Sequence, residues 1–88
     1  MKFKKKIKFD KNNMTLELGN HKKTISPEDD FIVQALQNHV SDAYLLKLVM
    51  KTEQADEIEA SFRMASFVEE YGEFLEEEPA GTIPYRRE

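Results

Sequence analysis

Cysteine is absent from this chain of 88 residues. That excludes a disulfide framework, a thiolate zinc site and a cysteine nucleophile, and it fits a reducing compartment, so the expected location is cytoplasmic. Long apolar runs are missing too, and nothing approaches the roughly 20 consecutive apolar residues of a membrane span. Met1 to Lys6 is basic like a signal n-region, but Ile7-Lys8-Phe9-Asp10-Lys11 stands where the apolar h-region would have to follow, so no classical export signal is expected. Glycine and proline number three each, and neither occurs between Pro27 and Gly72. A glycine-rich phosphate loop and a dinucleotide fingerprint are therefore excluded from that stretch, and any helix break inside it must come from caps and polar gaps. Histidine is limited to His21 and His39, without a metal-ligand spacing. No Ser/His/Asp pattern accompanies them, and no metal or cofactor is expected. At 88 residues one small domain is expected, and a large multidomain enzyme is not. A domain this small buries roughly 60 to 65% of its unfolded surface, leaving little room for an enclosed active site beside a core.

What the chain does have is charge, divided unevenly. Residues 1–25 hold eight lysines against Asp10 and Glu17, a net of +6, while residues 26–88 carry a net of −10, giving −4 in all. Two ends of opposite sign can face different partners or each other.

The pattern along the chain predicts an α+β fold. From Lys2 to Phe9, Phe3, Ile7 and Phe9 share one parity and Lys4, Lys6 and Lys8 the other, the period of a half-buried strand that only Lys5 interrupts. Asp10-Lys11-Asn12-Asn13 reads as a turn, and Met14, Leu16 and Leu18 mark a second strand. Gly19-Asn20 then permits a short third strand over His21 to Ile25. Ser26-Pro27-Glu28-Asp29-Asp30 reads as a helix start capped by Ser26, with Ile32, Ala35, Leu36 and Val40 on its apolar face. A second helix is expected from Ser41-Asp42 to about Lys51, followed by a turn at Lys51-Thr52-Glu53-Gln54. In the last helix Ile58, Phe62, Ala65, Val68, Tyr71 and Leu75 form a stripe that Met64, Phe67 and Phe74 broaden. Glu76 to Pro79 should stop it, which places one domain over 1–78 and a flexible tail over 79–88. In that tail Tyr85, Arg86 and Arg87 could form a docking peptide.

Three functional readings follow. The leading one is a small non-enzymatic protein-interaction factor, of the accessory type that phages and plasmids encode. Ten acids against Arg63 over residues 52–78 suit a basic groove on a protein partner. Its expected contact residues are Phe67, Glu69, Glu70, Tyr71, Glu73, Phe74 and Glu77. The breadth of that aromatic face also predicts a homo-oligomer, preferably a dimer. The second reading is nucleic-acid binding by Lys2, Lys4, Lys6, Lys8 and Lys11 on the hairpin, whose structural alternative is a lysine-protected edge strand. The third uses Glu53-x-x-Asp56 and Glu70-x-x-Glu73, whose spacing resembles the paired acidic motifs of the MazG-like all-helical family. That resemblance implies a metal-dependent nucleotide pyrophosphohydrolase, although that family has no need of an amino-terminal hairpin.

Overall fold

Asp10 makes the first turn. Its carboxylate accepts the backbone N–H groups of Asn12 and Asn13 at 3.0 and 3.1 Å and the Asn13 side-chain amide at 2.7 Å, an Asx-type arrangement. These bonds, that from the Asn13 side chain foremost, hold the Asp10 carboxyl below its ordinary range. The strands on either side are β1 (Lys8–Asp10) and β2 (Thr15–Leu18). Gly19, with φ of 59°, then supplies the left-handed residue of a two-residue turn into β3 (His21–Thr24). The structure, a computed structural model, describes residues 1–76 and shows an antiparallel sheet ordered β1-β2-β3, followed by three helices. This is the expected α+β fold. The expected 79–88 tail, its Tyr85-Arg86-Arg87 cluster and Glu77 lie outside the described residues.

The first strand is shorter than its alternation suggests. Instead of running from Lys2 to Phe9, the chain turns between Lys4 and Ile7, whose N–H donates to the Lys4 carbonyl at 3.2 Å. A straight strand would have placed Lys5 on the apolar parity; the turn exposes it instead. Ahead of the turn, Phe3 pairs with Leu75, with Lys4 N–H donating to Phe74 O at 3.0 Å and Glu76 N–H to Lys2 O at 2.9 Å.

Pro27–Asp29 forms a 3-10 turn, and α1 (Asp30–Gln37) starts after it. Ser26 makes no side-chain cap bond, which corrects the expected cap. Helix α2 (Asp42–Glu53) is capped by Ser41, whose hydroxyl accepts Tyr44 N–H at 3.1 Å. It ends at Gln54 in the left-handed conformation, φ 53° and ψ 47°. Helix α3 (Glu57–Tyr71) opens with a reciprocal capping box. Glu59 N–H donates to Asp56 at 2.8 Å, and Asp56 N–H donates to the Glu59 carboxylate at 3.1 Å. The expected break exists but comes later than Lys51: Lys51, Thr52 and Glu53 still belong to α2, and the chain breaks over Gln54 to Asp56, where Asp56 caps α3. A 3-10 turn at Gly72–Phe74 ends α3 earlier than the acidic run predicts, because Leu75 goes extended to meet Phe3.

One core joins these layers. Leu16 and Ile25 from the sheet side are buried with Ile32, Val33, Leu36, Leu45, Val49, Ala60, Phe67, Tyr71 and Phe74. Among the described residues no helix is long and apolar enough to cross a membrane.

Candidate interaction surface

The seat of α3 is fixed by one charged network. Asp29, only 3% exposed, accepts the Tyr71 hydroxyl at 2.6 Å and the Arg63 guanidinium at 2.7 Å. Arg63 also donates to the Glu28 carbonyl at 3.0 Å and to Glu53 at 2.9 Å. Burial works against the Arg63 charge, but its bonds to Asp29 and Glu53 outweigh that and raise its pKa above the ordinary value. Tyr71 is pushed up to about 12 by burial and by its bond to Asp29. The two carboxylates and the phenol thus tie α3 to the start of α1 and the end of α2, and so set which side of α3 faces inward.

That inward side contains the aromatics expected to bind a partner. Phe67, Tyr71 and Phe74 are 1%, 0% and 0% exposed, and the Phe67 and Tyr71 rings pack at 4.5 Å between centroids. They are core residues, which corrects the sequence reading and removes its stated reason for expecting an oligomer: the chain covers this face by itself. Two of the acids have intramolecular partners as well. Glu70 lies 3.6 Å from Lys23, and Glu73 lies 3.1 Å from His21. Lys23 places its ammonium nitrogen over the Tyr71 ring, 5.4 Å from the centroid, a cation–π contact. His21 and Lys23 share the sheet face of Leu16 and Leu18, since the register pairs Leu16 with Lys23 and Leu18 with His21. This explains why β3 has so few apolar residues. Glu69 remains exposed, without an ion pair among the described residues.

The opposite side of α3 is where large apolar groups meet water. Ile58 is 68% exposed and Phe62 69%, with Ala65 exposed beside them, and Val68, 43% exposed, stands about a quarter turn to one side. On a helix of 3.6 residues per turn, Ile58, Phe62, Ala65 and Glu69 make one line, while Ala60, Met64, Phe67 and Tyr71 make another roughly half a turn away. The sequence reading merged these two stripes into one. Separating them by phase was within reach of the sequence alone, because positions 58, 62 and 65 do not share a face with 60, 67 and 71. Elsewhere, Tyr44 of α2 is 55% exposed, at the lip of a shallow groove lined also by Phe31, Ala35, Val40 and Leu48.

The other candidate residues are dispersed. Glu53 is held by Arg63 and Asp56 caps α3, whereas Glu70 and Glu73 lie near its far end, so the two pairs are separated by most of a helix about 22 Å long. Among the described residues no cluster of three or more histidine or acidic groups could hold a metal ion. The lysine ladder is not continuous either. Lys8 alone of its members lies in β1, Lys4 precedes the turn and Lys6 is in it, Lys11 is in the next turn, and Lys2 lies 3.4 Å from Glu76. The cross-strand register sets Glu17 between Lys8 and Lys22. Comparison with family models, with curated proteins and with solved structures finds no match for this chain.

Proposed function

We propose that this protein is a small non-enzymatic interaction factor, acting in the cytoplasm, that docks through the outward face of α3 with Ile58, Phe62, Ala65 and Val68 as apolar contacts. The observation that carries the reading is the exposure of Ile58 and Phe62, 68% and 69%, on a helix whose other side is already anchored in the core. Exposed large apolar groups gathered on one rigid face mark interaction surfaces. In an affinity capture from the native cell, the wild-type chain should retain one dominant protein that the Ile58→Ser/Phe62→Ser variant loses, with both chains equally stable. Equal retention by the variant would refute this reading.

A second reading, nucleic-acid binding, draws support from Lys4, Lys5, Lys6, Lys8, Lys11 and Lys22, which form no ion pair among the described residues. It requires retention of nucleic acid that weakens steeply with salt and is lost on Lys5→Glu/Lys6→Glu substitution.

A further inference from the structure

An apolar helix face bordered by charge selects an occupant that brings apolar groups and the opposite charge together. On α3 the border is acidic: Glu57 precedes Ile58 at the start of the helix, and Glu69 closes the line of Ile58, Phe62 and Ala65. Neither acid has an ion pair among the described residues, and Arg63, the one cation of α3, is turned away toward Asp29 and Glu53. A second α3 would therefore meet this face acid against acid. The lysine-rich hairpin has the right charge but shows no large exposed apolar side chain.

The outward face of α2 has both. Tyr44, Lys47 and Lys51 recur at i, i+3 and i+7, all three are exposed, and neither lysine has an ion pair among the described residues. The spacing also matches: Tyr44 to Lys51 is seven residues and Phe62 to Glu69 is seven residues, about 10 Å along each helix. Resting on the reading of α3 as a docking face, we propose that its occupant is a second copy of this chain, whose α2 lies parallel to α3 with Tyr44 on Phe62 and Lys51 on Glu69. The pairing covers Tyr44, Ile58 and Phe62, the three large apolar side chains that stand most exposed among the described residues.

The test is sedimentation equilibrium of the full chain from about 10 µM to about 1 mM, the range suited to a small, transient interface. Wild type should associate. Ile58→Ser/Phe62→Ser should weaken association at least about tenfold, Lys51→Glu and Glu69→Lys about fivefold each, and the swapped Lys51→Glu/Glu69→Lys chain should return to within about threefold of wild type. An Ile58→Ser/Phe62→Ser chain mixed with a Tyr44→Ser/Lys51→Glu chain should form a one-to-one heterodimer through the intact α2 of the first and the intact α3 of the second, although each alone is monomeric. All substituted side chains are exposed, and unchanged melting by circular dichroism confirms folding. Wild type monomeric at about 1 mM, self-association of the Tyr44→Ser/Lys51→Glu chain, or a mixture that stays monomeric would overturn the pairing. A monomer that still captures an outside partner through Phe62 refutes only the second copy as occupant; failure of that capture to depend on Phe62 refutes the docking face itself.

Discussion

Replacing Tyr71 by phenylalanine removes one oxygen from a fully buried position and leaves the ring stack on Phe67 in place. What is lost is the 2.6 Å donor to Asp29, together with the weaker 3.4 Å acceptor of Ser26 N–H. Asp29 keeps Arg63 on its other oxygen but remains buried, so the cost is that of a hydrogen bond to a charged group, about 2 kcal/mol. For a domain this size that corresponds to a fall in Tm of roughly 8 to 16 °C. Urea denaturation at neutral pH should show the loss as a lower midpoint with an unchanged slope. The comparison also has a signature in pH. Because the phenol is pushed up to about 12 in the fold and titrates near 10 when unfolded, the native state retains a proton between those values that the unfolded chain has released. The stabilisation is complete below about pH 10 and is lost as pH rises through the folded pKa, a change of about 2 to 3 kcal/mol. Subtracting Tyr71→Phe from wild type cancels the titration of the lysines, and the gap between the two should close from pH 10 to pH 12. A gap under about 0.5 kcal/mol at neutral pH, or one that persists unchanged to pH 12, would refute the account of this network.

Three further outcomes test the rest of the structure. Ser41→Ala and Asp56→Ala should each lower stability by about 1 kcal/mol in denaturant titration, whereas Ser26→Ala should cost under about 0.5, since only the first two cap helices through their side chains. Phe67→Ala should cost about 3 to 5 kcal/mol and Phe62→Ser less than about 0.5, which thermal melts will separate; a large loss at Phe62 would mean that its face is covered within the chain. Glu69→Lys should leave stability unchanged, while Glu70→Lys/Glu73→Lys should lower it by under about 1 kcal/mol by breaking exposed pairs with Lys23 and His21.

The elements were legible where local chemistry acts alone. Alternation and turn residues marked β2 and both hairpin turns, and Ser41 and the polar gap after Lys51 marked the ends of α2. Tertiary pairing defeated the rest. Lys2 to Phe9 alternates like a strand, but Phe3 is claimed by Leu75, and Lys5 would have stood on the apolar face. Ser26 looked like a cap, yet its N–H points to the hydroxyl of Tyr71, 45 residues away. The candidate surface failed for another reason: a wide apolar stripe does not say which half is covered. Met64, Phe67 and Phe74 looked like the margin of the α3 stripe, but they lie on its buried side, because Asp29 and the sheet hold Arg63 and Tyr71 inward. Burial of Asp29 was not signalled by a sequence that places it between two other acids.

The uneven charge of the two ends finds part of its purpose inside the molecule. β3 presents His21 and Lys23 on its inner face, and α3 with the turn after it returns Glu73 and Glu70 to them, so that through Lys23 and Glu70 two ends of opposite sign meet across about 50 residues of chain. These contacts are largely exposed, worth about 0 to 1 kcal/mol each, and the charged pair is weakened by salt, so they add little to the stability of the fold. Salt therefore separates the fold from its surface. Losing about 1 kcal/mol from a folding free energy of roughly 5 leaves the native state dominant, whereas the same loss from docking at Glu57 and Glu69 weakens affinity about fivefold. Raising ionic strength should consequently leave the melting profile nearly unchanged while weakening about fivefold any complex formed on the outward face of α3; a complex whose affinity is unchanged by high salt would rest on Ile58 and Phe62 without help from their acidic border.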